Sequence, residues 1–108
     1  MPMKPVAFTM KLLPGNEVEY EKRHQQIWPE LEKLLKEAGI LSYHIFLDKS
    51  SGTLFAFQSL SEDNQTGSLA GQAIMKKWWD FMADLMETNP DQSPKVQALQ
   101  KVYSLYSK

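Results

Sequence analysis

A tyrosine and a histidine one helical turn apart provide the first candidate chemistry in this sequence. Tyr20 and His24 lie in the stretch YEKRHQQIW (20–28), and on a helix residues four apart share one face. An imidazole has a pKa of ~6.5, so it can give or take a proton near neutral pH. A phenol beside it can hydrogen-bond a polar ligand or the imidazole itself. The alternative interpretation is that both rings belong to the buried seam of an amphipathic helix.

Two adjacent tryptophans and a further tyrosine complete the candidate set. On a helix Trp78 and Trp79 would lie about 100° apart, so one can join the core while the other lines the edge of a pocket. Flat aromatic faces are surfaces on which sugar C–H groups stack, although both rings could equally fill a small core. Tyr43 shares a predicted strand face with Ile45 and Leu47. Its hydroxyl would be a polar group in an apolar cavity if that face lines one, and a core tyrosine if the face meets the helices.

Other kinds of site find little support in the residues. His24 and His44 fall on different predicted elements, and the sequence has neither an HExxH motif nor an EF-hand loop, so we expect no metal site. It also lacks a glycine-rich phosphate loop and a G-x-S-x-G motif. We interpret His44 as structural, because it points away from the strand face of Tyr43, and the charged residues of 17–37 as a solvated helix face.

Composition narrows the class of protein. The chain has 108 residues, 43% of them hydrophobic and 23% charged, which is typical of one soluble globular domain, 1–108. A net charge of −1 gives no electrostatic basis for binding nucleic acid or an anionic membrane. The sequence has no cysteine, which excludes thiolate nucleophiles and fits a cytoplasmic location. We expect no signal peptide and no membrane span.

The strands that would position these residues follow from hydrophobic alternation. Four segments alternate or are rich in β-forming residues, and we predict them as strands: 5–12, 41–48, 53–60 and 98–106. The second and third are separated only by KSSG, so they should form an antiparallel hairpin.

The sequence indicates where the predicted helix that carries Tyr20 and His24 begins, where it ends and where it is interrupted. Asn16 and Glu19 predict a capping box at its start, and Gly39 predicts its end. Pro29 lies inside this stretch, so it should kink the helix or break it so that a second helix begins near Trp28.

A further helix is predicted over 72–87, and 61–71 is only weakly helical. The resulting order β-α-β-β-α-β predicts an α+β, ferredoxin-like fold, with one antiparallel sheet and helices on one face. The chain has nothing left to cover the other face of the sheet. Two sheets packed face to face would cover it, so we predict a homodimer.

These residues resemble the L-rhamnose mutarotase family. Five segments, which together cover nearly the whole chain, carry the resemblance: EYEKRHQQIWPEL (19–31), GILSYHIFLD (39–48), LFAF (54–57), KKWWDFMADLMETNPDQSP (76–94) and LQKVYSL (99–105). The resemblance implies a dimeric α/β barrel that interconverts the α and β anomers of L-rhamnose, in rhamnose metabolism, without a metal or organic cofactor.

The resemblance also implies roles for individual residues. It makes His24 the proton donor and places Tyr20, Tyr43, Trp78 and Trp79 around the sugar. Two departures bear on sugar preference: Gln25-Gln26 stands where the family often has Asn-Pro, and 61–71 is glycine-rich.

On this interpretation His24 would protonate the ring oxygen of the sugar and Tyr20 would position a hydroxyl. The base stays open between Tyr43, a carboxylate and a water. Fold alone does not decide function. The alternatives are a small dimeric ferredoxin-like oxygenase, a non-catalytic protein that binds a small molecule, and a purely structural dimer module.

Overall fold

The computed structural model describes residues 3–105 as one antiparallel sheet with helices on one side. The elements in chain order are β1 Met3–Lys11, α1 Glu17–Gln25, α2 Pro29–Glu37, β2 Ile40–Asp48, β3 Thr53–Ser61, α3 Ala73–Met82 and β4 Gln97–Leu99. Short 3-10 helices span Thr66–Gly71 and Ala83–Leu85. No helix within this described part of the chain is long and apolar enough to cross a membrane.

The strands lie in the order β2-β3-β1-β4. β2 and β3 form the predicted hairpin, β3 pairs with β1 along its whole length, and β4 pairs with β1 over three residues. This order confirms the α+β, ferredoxin-like fold that the succession of elements predicts.

The two faces of the sheet have different surroundings. The inner face, covered by the helices, contributes to a core formed by Met10, Leu12, Tyr20, Leu31, Leu54, Ala56, Met75, Trp78, Met82, Leu85 and Met86. The outer face carries Ala7, Phe46, Phe55, Phe57 and Leu99, which the strand register places together. Phe46 is 63% exposed and Phe57 44% exposed, so an apolar surface is left uncovered in the monomer.

The first helical stretch is broken rather than kinked. α1 ends at Gln25 and α2 begins at Pro29, where a missing N–H is harmless. Trp28 has an extended backbone, with φ −65° and ψ 129°, because the proline ring disfavours helical geometry in the residue before it. Gly39 follows α2 with φ +98°, as expected of a glycine that ends a helix.

The predicted capping box is wrong. Asn16 has φ −103° and ψ 11° and makes no side-chain cap hydrogen bond, since this is not the extended geometry that a capping box uses. Its Nδ2 instead donates to the carbonyl oxygen of Leu85 at 3.3 Å. Glu19 accepts a hydrogen bond from Arg23 Nε at 2.8 Å.

The helix predicted over 72–87 is too long at its C-terminal end. α3 stops at Met82, and Met86 is extended, with φ −146° and ψ 167°. The N–H of Leu13 donates to the carbonyl oxygen of Leu85 at 2.8 Å. The chain that leaves β1 therefore binds this backbone and holds it out of helical geometry.

The strand predicted over 98–106 is also shorter in the structure. β4 covers Gln97–Leu99, and residues 100–105 belong to no strand, while Tyr106 lies outside the described residues. Continuation of the β1–β4 register would bring β4 opposite Pro5. Proline has no N–H to donate to a ladder, so pairing is weakened there.

Candidate active site

A cavity of about 890 Å³ opens between the inner face of the sheet and the helices. Its lining is mainly apolar, which is typical of small-molecule sites. All five candidate residues line it: Tyr20, His24, Tyr43, Trp78 and Trp79. The structure thus brings together side chains that are spread over nearly 60 positions of the sequence.

One wall is the face of α1 that carries Tyr20 and His24. The ring centroids are 4.4 Å apart with an interplanar angle of 32°, so the two rings are stacked, as the spacing of four predicts. Tyr20 is buried and His24 is half-buried. Nδ1 of His24 lies 3.1 Å from the carbonyl oxygen of Tyr20, so the ring is tied to its own helix.

A second wall is α3 with its two tryptophans. Trp78 is 6% exposed and meets the His24 ring edge to face, with centroids 5.5 Å apart at 89°. Trp28, from the break between α1 and α2, packs on Trp78 at 5.1 Å. Trp79 is half-buried. Trp78 is therefore a core residue that also borders the cavity, and Trp79 lies at the edge of the cavity.

The third wall is β2. Tyr43 lies on the inner face, with its ring 6.5 Å from that of Phe8, and 36% of the residue is exposed. Of the two alternatives for Tyr43, its place fits the one in which the strand face lines a cavity, since Tyr43 is not part of the core cluster. Its hydroxyl is one of the polar groups in a mainly apolar lining.

Burial governs the protonation of these groups. Burial lowers the pKa of His24 below its ordinary value, and the hydrogen bond to the Tyr20 carbonyl only partly opposes this. Burial raises the pKa of Tyr43 to about 12, with the Gln58 side chain acting in the opposite direction. Burial, and then the charge that Tyr43 would carry, raise the pKa of Tyr20. All three candidate groups are therefore neutral at neutral pH.

Arg23 has a structural role that the sequence does not reveal. Its guanidinium pairs with Glu19 at 2.8 Å and with Asp84 at 2.9 Å, and it donates to the carbonyl oxygen of Phe81 at 2.6 Å. Its Cζ also lies 4.5 Å from the centre of the Phe81 ring. These contacts stabilise the packing of α1 against the C-terminal end of α3, at the residue next to His24. The only signal in the sequence was the Glu19–Arg23 spacing of four.

His44 is exposed and lies on the outer face, away from the cavity, as the alternation in β2 predicts. Within residues 3–105 no group of three or more histidine, aspartate or glutamate side chains is placed to hold a metal ion. That the site works without a metal or an organic cofactor stays a prediction.

A family model and a similar protein both identify the same family for this chain. The model of a family described as L-rhamnose mutarotase matches residues 5–105. A protein named L-rhamnose mutarotase from Flavobacterium johnsoniae is 52% identical over 99 residues, which are 92% of this chain and 92% of that protein.

Solved structures agree with this at two levels of similarity. The crystal structure of an L-rhamnose mutarotase from Formosa agariphila has a TM-score of 0.89 and 48% identity, and covers 95% of this chain and 99% of that one. A putative antibiotic biosynthesis monooxygenase from Bordetella bronchiseptica has a TM-score of 0.66 at 17% identity, covering 95% of this chain and 100% of that one. The second likeness shows the fold alone.

Proposed function

The chain belongs to the L-rhamnose mutarotase family, and we propose from this premise that it is an isomerase that interconverts the α and β anomers of L-rhamnose. The observation that carries the proposal is the match of the family over residues 5–105, on a chain whose candidate residues line one cavity. The reaction supports rhamnose metabolism.

The reaction needs little from the protein beyond proton transfer and positioning. Opening a pyranose requires removal of a proton from the anomeric hydroxyl and delivery of one to the ring oxygen. The open aldehyde then rotates about C1–C2 and closes on its other face. General acid–base groups contribute roughly 10²–10⁴-fold to such steps, and imidazole is the side-chain type whose ordinary pKa lies nearest neutral pH.

The aromatic walls suit a deoxysugar. A pyranose has apolar C–H patches, and L-rhamnose adds a methyl group, so Trp78 and Trp79 can bind it through flat apolar surface. Tyr20 and Tyr43 offer hydroxyls from facing walls, and such convergent polar groups orient a ligand in an apolar pocket. These four residues are the proposed sugar-binding set, with His24 as the acid–base residue.

The oxygenase alternative is not favoured, because solved structures with a monooxygenase name, such as the one from Bordetella bronchiseptica at 17% identity, show a likeness of fold alone. A non-catalytic binding protein would bind the same sugar in the same cavity without accelerating exchange.

Proton NMR of an equilibrated L-rhamnose solution tests the function. One anomeric proton is saturated, and the loss of intensity at the other reports the exchange rate. We expect added wild-type protein to accelerate exchange, His24→Gln to lose most of that acceleration, and His44→Gln, the matched control on the outer face, to keep it. Binding of L-rhamnose without accelerated exchange by the wild type would instead support the binding protein.

We further propose that the outer face is the interface of a homodimer. Phe46 and Phe57 pack with ring centroids 5.9 Å apart and are both exposed, and an apolar sheet face of this kind is normally covered. Phe57→Glu would place a charge in that interface, so we expect it to yield a monomer in sedimentation experiments. Val18→Glu adds the same charge on α1, where Val18 is 81% exposed, and should leave the oligomeric state unchanged. A wild-type protein that sediments as a monomer would refute the interface.

We also propose a cytoplasmic location, which fits the absence of cysteine from the sequence and which cell fractionation of the native host tests directly. The organisation as a single domain, 1–108, is proposed on chain length, and one cooperative unfolding transition would support it.

A further inference from the structure

Arg23 joins the two helices that carry most of the candidate sugar-binding residues. α1 carries Tyr20 and His24, and α3 carries Trp78 and Trp79. Arg23 is not among the described residues that line the cavity. Any effect of Arg23 on a bound sugar must therefore pass through the residues that it holds in place.

The guanidinium donates hydrogen bonds toward both helices. Its Nε donates to Glu19, one turn earlier on α1, at 2.8 Å. Its Nη1 and Nη2 donate to the two carboxylate oxygens of Asp84, at 2.9 Å and 3.4 Å, and Nη1 also donates to the carbonyl oxygen of Phe81 at 2.6 Å. Phe81 lies in the last turn of α3, and Asp84 lies in the 3-10 turn that follows it. A planar, rigid fork of donors fixes distance and orientation between its partners, which a point charge does not.

The ring of Phe81 connects the guanidinium to the candidate site. Cζ of Arg23 lies 4.5 Å from the centre of this ring, and the ring packs on Trp78 with centroids 5.8 Å apart. Trp78 in turn meets the imidazole of His24 at 5.5 Å. The contacts that leave Arg23 through Phe81 thus return to its neighbour His24. Because interiors are close-packed, a shift of one helix along the other would break this series of contacts.

Arg23 differs from the neighbouring cation in the same turn of α1. The Arg23 side chain is only 15% exposed, so most of it packs against the protein. Lys22, the preceding residue, is exposed and makes no ion pair among the described residues. The chain therefore offers a matched cation that lacks the ion pairs of Arg23.

We propose that Arg23 is a positioning residue of the sugar site, which sets the separation between the α1 wall and the α3 wall of the cavity. This rests on the proposed mutarotase function and deepens it. A pyranose bound between the two walls needs both at the right distance, because an extra gap of about 0.5–1 Å already forfeits a quarter to a half of a dispersion contact. Loss of the guanidinium therefore weakens sugar binding although Arg23 does not line the cavity.

The effect of Arg23→Met on KM, compared with its effect on kcat, tests the proposal. Both are measured by anomeric saturation transfer over a range of L-rhamnose concentrations. A misplacement of about 1 Å caused by a distant substitution can cost about 10²-fold, and since other contacts still hold the helices we expect KM to rise about tenfold. A substitution that only destabilises the fold reduces the number of folded molecules, which lowers the apparent kcat and leaves KM unchanged.

Two control variants isolate the positioning effect. Lys22→Met removes the same charge from the same turn, and Gly39→Ala destabilises the protein at the end of α2, away from the contacts of Arg23. Both should keep the wild-type KM. An unchanged KM in Arg23→Met, or an equal rise in either control, would overturn the positioning role. Absence of exchange with the wild-type protein would remove the proposed function instead.

Two further variants test whether geometry rather than charge is responsible. Arg23→Lys keeps the charge and loses the planar fork, so most of the rise in KM should remain, and full rescue by lysine would overturn the geometric argument. Asp84→Asn should raise KM less than Arg23→Met does. Because Asp84 would act through Arg23, combining the two substitutions should add nothing to Arg23→Met alone. Additive effects on KM would show that Asp84 acts independently and would contradict the proposal.

A direct binding measurement completes the test without relying on exchange. Tryptophan fluorescence follows L-rhamnose binding because Trp78 and Trp79 line the cavity. The Kd of Arg23→Met should rise about as much as its KM, and a wild-type Kd in this variant would overturn the proposal.

Discussion

Removal of the Arg23 guanidinium should loosen the junction between α1 and α3. Arg23→Met keeps an aliphatic side chain of similar length, while the guanidinium over the Phe81 ring, the pairs with Glu19 and Asp84 and the hydrogen bond to the Phe81 carbonyl are lost. Exposed ion pairs contribute about 0.2–1 kcal/mol each, and a hydrogen bond from a charged donor about 1.5–3 kcal/mol.

The ion-pair and hydrogen-bond energies are not independent, because they involve the same guanidinium. In the variant, the Phe81 carbonyl and the carboxylates of Glu19 and Asp84 can form hydrogen bonds with water instead. We therefore expect the free energy of unfolding to fall by about 2 kcal/mol rather than by the sum. Urea unfolding at one fixed protein concentration measures it, because a dimer would make stability concentration-dependent.

Lys22→Met is the matched control, since it removes the same charge from the same turn of α1. Lys22 makes no ion pair among the described residues, so its change should stay within about 0.5 kcal/mol. Equal effects of the two substitutions would refute the reasoning, because they would show that Arg23 acts only through net charge.

The pair also has a predictable pH dependence. The Arg23 hydrogen bond lowers the pKa of Asp84 below its ordinary 3.8. A carboxyl whose folded pKa is depressed stabilises the fold above its unfolded pKa and loses that contribution as the pH falls through its folded pKa. The stability difference between wild type and Asp84→Asn should therefore be present at neutral pH and shrink below pH 3.8.

Two other substitutions have clear expectations. Gly39→Ala should destabilise the fold by more than about 1 kcal/mol, because φ is +98° and the added Cβ would clash with Ser61 Oγ and lie 2.9 Å from the backbone Cα of Asn64. Gly67→Ala, with nothing within 4 Å, is the control, and equal melting temperatures would contradict the steric argument. Trp79→Leu should raise KM for L-rhamnose about two- to tenfold, since one lost stacking contact is worth about 0.5–1.5 kcal/mol. A KM unchanged in saturation-transfer titrations would exclude Trp79 from the sugar site.

Local signals predicted most of the fold. Alternation in the strands, Gly39 after a helix and Pro29 within one act through backbone geometry that a few neighbouring residues decide, and the structure follows them. The errors have another origin. Asn16 bonds to Leu85 and not to its own helix, and α3 ends early because residues after β1 bind the backbone beyond it. Partners so distant in sequence are invisible to a local pattern.

In the candidate site, too, the residue types could be predicted from local sequence, whereas the contacts between distant residues could not. The residue types that can transfer protons or stack on a sugar are scarce in this chain, so Tyr20, His24, Trp78 and their companions could be named before their positions were known. The bond from Nδ1 of His24 to the Tyr20 carbonyl depends on a side-chain rotamer, and the Arg23 contacts depend on the angle between α1 and α3. Neither the rotamer of His24 nor the angle between α1 and α3 can be predicted from composition and residue spacing.

One local constraint nevertheless reaches the chemistry through packing. Pro29 forces an extended backbone on Trp28, and this places the Trp28 ring in the gap between α1 and α2 instead of on a continuous helix. There it packs at 85° on Trp78, whose own ring stands at 89° to His24. Interiors are close-packed, so each ring limits the next. The proline that interrupts the helix therefore helps to fix the orientation of the imidazole five residues before it. On a ferredoxin-like fold shared with distant proteins, the packing of neighbouring rings thus helps to orient an imidazole that lines the cavity.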